Sequence, residues 1–529
     1  MTDFHLSALA GLLEKRGLLA SEPLPAHGAA ADPSISAVRY DSRQVRAGDL
    51  FVARRGQHSD GHDHVDSAVA AGAAAILVER PLPGVTVPEL VVRDAKVALG
   101  IAAAWRAGDP SAHLGVVGIT GTDGKTTTAY LVRAILEAAA GPTGLMGTTD
   151  VIVAGVSQGN SARTSTPEAP ELQDHLAAML AGGDRWAVVE STSHGLAQQR
   201  VSGVAYDVAV LTNITSEHLE YHRTIDAYRA AKRSLFARLS VSEENPEKGW
   251  GKHAVINADD PEGERTAEVA AATGARVWRY GLAGELGERD PAELDLSATS
   301  LAETPSGMVI GLRAGEWSGS TALQLAGRFN VANALAALGV ACALELDLDR
   351  ATAALAELAA VPGRMQRVDE GQPFSVVIDY AHTAESLAKV LDELTPTDPA
   401  GGRIAVFGSA GDRDSSKREP MGRVAGERCR LVIVTDEDPR SEGREAILAD
   451  IAVGAEAAGM RRGHDLFLIP DRETAIAEAL RRARPGDAVL LAGKGHERTI
   501  ETADGERPWD EAAVTRQALR STLREDSAS

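Results

Sequence analysis

Two cysteines, Cys342 and Cys429, stand in a chain of 529 residues. That is too few for a disulfide framework and fits a reducing, cytoplasmic compartment. No apolar run approaches the roughly 20 residues that a bilayer-spanning helix needs, so no membrane span is expected. The opening MTDFHLSALAGLLEKRGLLA lacks a basic leader and a small-residue cleavage site. It reads as an amphipathic helix and not as a secretion signal. Positive charge is also short: Lys+Arg 54 against Asp+Glu 75 gives a net charge of −21. A surface this acidic repels phosphate backbones and anionic head groups, which argues against nucleic acid and membrane surfaces as partners. A local basic pocket for one anionic small molecule remains compatible with it. No tandem repeat of fixed period is present.

What the chain does contain is ordinary globular composition, 44% hydrophobic and 24% charged, at a length that suggests roughly three domains. Apolar runs alternate with alanine- and leucine-rich helical stretches, the pattern of α/β domains with parallel sheets. The expected division is residues 1–110, 111–361 and 362–529. In the first part the β-like runs are DLFVARRG, AAILVE and LVVRD, with a helical stretch through Ala68–Gly72. The second opens on the strand Leu114–Gly118 and continues with runs at 188–190, 208–213 and 254–260. A more irregular stretch near 282–325 leads to a helix around Asn330–Leu344. Val361-Pro362-Gly363-Arg364 reads as a hinge, because proline and glycine together punctuate the preceding helix. Beyond it, FSVVIDY, RIAVFGSAG, LVIVTDEDP, DLFLIPD and DAVLLAGKG alternate with helices such as Glu445–Ala458 and Thr474–Ala483. That is a doubly wound sheet, whose ligands bind at the carboxyl ends of its strands. The final TLREDSAS reads as a polar tail.

The strongest motif is Gly118-Ile-Thr-Gly121-Thr122-Asp123-Gly124-Lys125-Thr126-Thr127-Thr128, which follows a β-like run and opens a helix. Glycines let backbone N–H groups close around phosphate oxygens, a lysine adds positive charge, and a threonine hydroxyl can ligate magnesium. The register departs from the standard phosphate loop, with five residues between Gly118 and Gly124. The motif implies ATP but names no reaction. Glu190 closes the apolar run AVV, where a magnesium ligand belongs. His194, His218 and His222 each lie just beyond a strand end and point to a site, with His218 an unusual nitrogen ligand for a hard cation. By spacing alone, Lys232 in Tyr228-Arg-Ala-Ala-Lys232 is a helix-surface lysine.

Eight motifs in order carry a resemblance: GTDGKTTT (121–128), ESTSHGL (190–196), TNITSEHLEYH (212–222), GRFNVANA (327–334), VPGRM (361–365), IDYAHT (378–383), GDRD (411–414) and GKGHE (493–497). Together they resemble the Mur ligases, and within them the type that adds a diamino acid to UDP-N-acetylmuramoyl-L-alanyl-D-glutamate in peptidoglycan synthesis. The resemblance runs from about Val38 to about Ala518. It implies a monomer with an N-terminal domain for the UDP end, a central ATPase domain and a C-terminal Rossmann-like domain. It also implies an acyl-phosphate reaction, in which ATP phosphorylates the free glutamyl carboxylate and the incoming amine displaces phosphate. The implied cofactors are ATP and Mg²⁺.

Residue by residue, the resemblance makes Gly121, Thr122, Asp123, Gly124, Lys125, Thr126 and Thr127 the phosphate loop. Asn330 and Arg364 become nucleotide contacts and Asp379 the ribose contact. Thr126, Glu190 and His218 become metal-site positions. Lys232 becomes the lysine that carries a carbamate (N6-carboxylysine), a carboxylate able to ligate a second magnesium. Lys125, Lys232, His218 and Glu190 are thus the implied catalytic set. For the UDP substrate, Tyr40, Ser42, Gln57, His58 and Ser59 match the nucleotide end. Thr164, Ser165, Thr166, Thr192, Gln198 and Arg200 match the sugar, diphosphate and peptide. Arg200 supplies the cation that a diphosphate demands of an acidic protein; an ordinary surface arginine is the alternative.

For the amino acid, Arg413 matches the arginine that grips the carboxylate, and Gly493 and Glu497 match further contacts. The enzymes of the family that use meso-diaminopimelate carry Asp-Asn-Pro-Arg where this chain has Glu437-Asp438-Pro439-Arg440. Asp438 in place of an amide disfavours a second carboxylate and favours lysine or ornithine. Arg440 pulls the other way, unless the two opposed charges pair with each other. Other departures are Asp123 where asparagine is frequent, and Thr383-Ala-Glu where Thr-Pro-Asp is common. Competing readings are the same reaction with meso-diaminopimelate, a related ligase such as a folate polyglutamylating enzyme, and an ATP-binding regulatory protein without ligase activity.

Overall fold

Runs of valine, isoleucine and leucine buried on both faces make parallel strands here, and the alanine- and leucine-rich stretches between them make the covering helices. The computed structural model describes residues 4–21, 32–56, 59–160, 164–215, 217–240, 248–287, 289–304, 307–325 and 327–528. The chain divides into two units. One is Met1–Thr299 with Leu312–Gly319 and Ala332–Ala354; the other is Ser300–Gly311 and Ser320–Val331 with Leu355–Ser529.

In the first unit the N-terminal sheet has four parallel strands, Val38–Arg39, Leu50–Val52, Ala75–Val78 and Glu89–Val91, in chain order. One face is covered by Leu6–Lys15 and Ala95–Ala107, which bury Leu9, Leu13 and Leu99 against Leu50 and Leu77. The expected amphipathic N-terminal helix is therefore present. The larger sheet places Gly115–Thr120 at its centre, between Val208–Leu211 and Trp186–Glu190, all parallel. Pairing sets Ile119 beside Glu190 and Thr120 beside Leu211, so the loops leaving these three strands converge at one edge. In an α/β sheet that edge is where ligands bind.

The stretch expected to be irregular, 282–325, instead contains three neighbouring strands, Leu296–Thr304, Gly307–Ala314 and Trp317–Leu323. Their residues alternate between buried and exposed, and many are Ser, Thr, Gly or Ala. A one-sided strand of this composition carries little hydrophobic signal.

The second unit is built on a six-stranded sheet in the order Gln366–Arg367, Ser375–Asp379, Ala488–Ala492, Arg403–Phe407, Leu431–Val434, Leu466–Leu468. Only the first pairing is antiparallel. Apolar clusters lie on both faces, one around Leu387, Phe407 and Ile451 and one around Ile404, Ile476 and Leu491. The doubly wound expectation holds. Of the C-terminal TLREDSAS, read as a tail, residues 522–528 belong to the helix Glu511–Ala528; leucine, arginine, glutamate and alanine are good helix formers. No described helix is long and apolar enough to cross a membrane. Both cysteines are buried and unpaired, and burial pushes each thiol up to about 12.

Candidate functional site

The phosphate loop occupies the turn between Gly115–Thr120 and the helix Lys125–Ala139. Two of its glycines are required by close approach. A Cβ on Gly121 would lie 1.8 Å from Thr212 Oγ1, and one on Gly124, at φ 83°, would lie 2.2 Å from Asn333 Oδ1. The loop is held from outside: Thr122 N–H donates to Asn213 O (2.8 Å), Asp123 N–H to Asn213 Oδ1 (3.0 Å), and Thr212 Oγ1 to Asp123 O (2.6 Å). Lys125 Nζ donates to Gly121 O (3.0 Å) and Thr122 O (2.8 Å), so its ammonium lies over the loop. Thr127 is buried in the first turn of the helix.

Glu190 ends the neighbouring strand and is fully buried. Its Oε2 accepts from Thr126 Oγ1 (3.2 Å) and Thr148 Oγ1 (2.9 Å), and its Oε1 from Thr148 N–H (2.9 Å). A hydroxyl and a carboxylate this close are the hard oxygen donors that magnesium takes alongside phosphate oxygens and water. His218 packs with His194 at 4.5 Å between ring centroids and lies 3.5 Å from Glu217 and 3.3 Å from Glu220. Among the described residues no group of three or more His, Cys, Asp or Glu side chains is placed to hold a metal. Glu190 and Thr126 are thus joined directly, while the His218 ring has its contacts with His194, Glu217 and Glu220. Burial, with the charges of His218 and His222 adding, pushes the His194 imidazole down to about 4.

Lys232 is no surface lysine. It is 1% exposed, its Nζ donates to Gly121 O (2.6 Å), and it lies over the Tyr228 ring at 4.6 Å. Burial, and then the Lys125 charge, hold its ammonium well below the usual lysine range. The spacing of the helix Ile225–Arg233 misleads because this helix packs against the loop itself and offers Tyr228 and Lys232 as its buried face.

A cavity of about 420 Å³ collects part of the acceptor set: Tyr40, Thr164 and Arg200, with Glu168, Glu171 and His175. Tyr40 donates to Glu171 Oε1 (3.1 Å). Arg200 donates to Thr166 O (2.8 Å) and to Gln198 Oε1 (2.8 Å from Nη2). From this cavity hydroxyls lead inward. Ser165 Oγ lies 2.7 Å from Thr148 Oγ1, Thr166 Oγ1 donates to Glu190 O (2.8 Å), and Thr192 Oγ1 lies 3.0 Å from Thr166 Oγ1. Ser42 opens a short turn on the N-terminal sheet, and Ser59 is exposed beside His64. Gln57 and His58 lie outside the described residues.

In the second unit Asp379 is buried. Its Oδ2 accepts from Met365 N–H and its Oδ1 from Ala381 N–H, both at 2.8 Å. Burial raises its carboxyl, opposed by nearby Arg364, whose guanidinium lies over the Tyr380 ring at 5.0 Å. Gly363, in the turn read as a hinge, has φ 63°, and a Cβ there would lie 2.3 Å from His496 N. The VPGRM and GKGHE motifs thus meet backbone to backbone. Asn330 is buried near the start of the helix Phe329–Ala343.

The amino-acid set forms two tied loops. Gly411 N–H donates to Asp438 O (2.8 Å), Asp412 N–H to Glu442 Oε2 (3.1 Å), and Arg440 Nη1 to Gly411 O (3.1 Å). Arg413 is exposed at their tip. Asp438 and Arg440 do not pair with each other. Asp438 Oδ1 accepts from Lys494 Nζ (2.9 Å), and Arg440 Nε donates to Glu501 Oε2 (2.5 Å). Lys494 is fully buried and also reaches Glu497 Oε2 (2.5 Å). Glu437 Oε2 is buried without a hydrogen-bond partner and would lie 3.1 Å from a Cβ on Gly493. Sequence reasoning missed Thr148, Arg54, Glu168, Lys494 and Glu442. Lys494 sits inside a quoted motif, so its place was a signal; the others carry none before folding.

Comparison with known proteins finds matches along most of the chain. Three family models match: Mur ligase family, catalytic domain (residues 34–105), Mur ligase middle domain (119–341) and Mur ligase, glutamate ligase domain (363–495). A UDP-N-acetylmuramyl-tripeptide synthetase of Roseiflexus sp. is 46% identical over 94% of this chain and 96% of its own. A UDP-N-acetylmuramoyl-L-alanyl-D-glutamate–2,6-diaminopimelate ligase of Geobacillus kaustophilus is 39% identical over 93% and 96%. A solved structure of a ligase of that same name has TM-score 0.64 at 29% identity, covering 93% of this chain and 96% of the other.

Proposed function

Because the chain belongs to the Mur ligase family and is an ATP-dependent ligase, we propose that it forms the tripeptide of the peptidoglycan precursor. It joins a diamino acid to the free glutamyl carboxylate of UDP-N-acetylmuramoyl-L-alanyl-D-glutamate. The observation that carries this reading is the run of oxygens from Thr126 through Glu190 and Thr148 to Ser165, which leads from the phosphate loop towards the cavity lined by Thr164 and Arg200. A carboxylate presented at the Ser165 end would face the transferable phosphate at the Thr126 end. Phosphorylation forms an acyl phosphate and ADP; the amine then attacks the acyl carbon and phosphate leaves. The proposed division of labour is residues 1–110 for the UDP end, 111–361 for ATP and 362–529 for the amino acid.

Thr126 and Glu190 would hold magnesium with the phosphates, and the ion would supply charge neutralisation on the transferring group. Lys125 adds positive charge over the loop. Asn330, Arg364 and Asp379 are the proposed nucleotide contacts. Lys232 has the environment of an amine that reacts with carbon dioxide, since burial and the Lys125 charge favour the neutral amine over the ammonium relative to an exposed lysine. The product carbamate is an added carboxylate beside the phosphate loop, able to serve a second cation. Tyr40, Ser42, Gln57, His58, Ser59, Thr164, Ser165, Thr166, Thr192, Gln198 and Arg200 are the proposed acceptor contacts.

For the amino acid, Arg413 would hold the α-carboxylate. Glu437, Asp438, Glu497 and Glu501 stand near Lys494, which bonds Asp438 and Glu497, and near Arg440, which is paired with Glu501. Arg472, paired with Glu511, also acts on Glu437 and Glu497, and Arg364 acts on their neighbour Tyr380. The unpartnered Glu437 Oε2, with Asp438 where the diaminopimelate-using enzymes have an amide, favours a side chain ending in a bare ammonium, lysine or ornithine. Retained Arg440 and the relative that uses 2,6-diaminopimelate support the alternative, meso-diaminopimelate. Phosphate release from ATP with the UDP-dipeptide, measured with each of the three amino acids, decides both points. No release with any of them removes the ligase reading; preferred turnover of meso-diaminopimelate removes the charge argument.

A further inference from the structure

Two guanidinium groups, Arg200 of the acceptor cavity and Arg54 behind its Glu168 and Tyr40, converge on one carboxylate. Arg54 Nη1 lies 3.0 Å from Glu168 Oε2, and Arg200 Nη2 lies 3.0 Å from Glu168 Oε1. All three side chains are largely buried, at 18%, 15% and 19% exposure. Arg54 is steadied further by lying over the Tyr40 ring at 4.6 Å. The remaining hydrogen bonds of Arg200 go to neutral oxygens, Thr166 O and Gln198 Oε1. Glu168 is the carboxylate to which both cations are bonded.

We propose that Glu168 is an internal stand-in for the acceptor's diphosphate: it holds Arg54 and Arg200 together in the empty cavity and is displaced from them when the anionic ligand enters. This rests on the reading of the cavity as the UDP-substrate site. Two guanidinium groups spaced to share one carboxylate also match two oxygens of a diphosphate, which brings more charge and more acceptor atoms. Arg54 is thereby a second diphosphate-binding cation. Glu168 is a specificity residue, because a weak anion does not outcompete a carboxylate that is already in place, whereas a diphosphate does. The same carboxylate weakens diphosphate binding by the interaction it gives up. It also keeps two like charges from being stranded in a largely buried cavity of an acidic protein.

The test is calorimetric titration of UDP into the full-length protein and into the variants Glu168→Gln, Arg54→Gln and the double variant, at low and high salt. Glu168→Gln is expected to bind UDP about five- to tenfold more tightly at low salt, with the gain shrinking as salt rises. Arg54→Gln is expected to bind about tenfold more weakly, and in the double variant the gain from Glu168→Gln should fall below about twofold. Should Glu168→Gln unfold, Glu168→Ala carries the same expectation, with the thermal midpoint checking the fold. If UDP binds the unaltered protein and a folded Glu168 variant binds it equally or more weakly, the carboxylate organises the arginines and the stand-in role is wrong. If UDP binds neither the unaltered protein nor any variant, the acceptor-site reading fails and takes this inference with it.

Discussion

Burial takes the Lys232 ammonium out of water and the Lys125 charge opposes it, so the amine form is reached at lower pH than for an exposed lysine. An amine in that state is what carbamate formation consumes. Lys232→Ala is expected to lower the rate of ADP formation by at least about a hundredfold, with no recovery on adding bicarbonate. In the unaltered protein, ¹³C-labelled bicarbonate should give a carbamate resonance that the variant lacks. A near-normal rate in the alanine variant would exclude the role. Thr148 supports a second expectation. Its hydroxyl joins Glu190 Oε2 to Ser165, while its N–H independently holds Glu190 Oε1. Thr148→Val keeps the shape and removes the hydroxyl. It should cut kcat by about ten- to a hundredfold with a small change in thermal midpoint, and Thr148→Ser should stay within about threefold of the parent. Equal loss in both variants would point to packing instead of hydroxyl chemistry. Neither residue was readable for its surroundings: Lys232 has surface-helix spacing, and Thr148 lies 42 residues before the carboxylate it serves.

At the scale of elements, strands and motif loops were the legible part. Gly121 and Gly124 are glycines because Thr212 and Asn333 leave no room for a Cβ, and a glycine-rich turn between strand and helix advertises that in the sequence. The strands Leu296–Thr304, Gly307–Ala314 and Trp317–Leu323 were not legible, since one face is exposed and the apolar alternation is diluted by small polar residues. The loops at 411–414 and 437–442 illustrate the same limit, because their ties form only when the sheet sets them side by side. Glu442 is central to those ties: it accepts from Asp412 N–H and pairs with buried Arg418 at 2.7 Å. Its hydrogen bonds with Arg418 hold its carboxyl down to about 2, below the usual 4.5. A depressed carboxylate contributes stability that is complete above the unfolded-state value and is lost as pH falls through the folded one. The Glu442 contribution should therefore be intact above pH 4.5 and disappear towards about pH 2. Glu442→Gln should flatten that part of the stability curve, measured by denaturant unfolding, and raise the KM for the amino acid more than it lowers kcat. An unchanged acid limb would show that Glu442 is not held as described.

For the whole molecule, a net charge of −21 has to coexist with substrates that are themselves anions, and the fold resolves this by gathering cations locally. Lys125 and Lys232 meet at the phosphate loop, Arg54 and Arg200 at Glu168 of the acceptor cavity, and Arg413, Arg440 and Lys494 in or beside the amino-acid loops. Thr126 and Glu190 offer magnesium two protein oxygens beside the phosphate loop, which leaves its other positions to phosphate oxygens and water, so magnesium is expected to enter with the nucleotide and to have no part in the fold. Chelation should abolish phosphate release, magnesium should restore it, and the thermal midpoint of the nucleotide-free protein should shift by less than about 1 °C. A large drop in midpoint on chelation would contradict this. By itself the sequence determined the α/β class, the phosphate loop and the ordered motifs that mark the family. Glycine placement, hydrophobic period and motif spacing are properties of neighbouring residues, and they survive in one dimension. Only the tertiary structure decided that Lys232 is buried, that Asp438 and Arg440 pair with Lys494 and Glu501 instead of each other, and that Glu168 bridges two arginines. Charge and burial depend on distance through space, and that distance exists only after residues far apart in the chain have packed together.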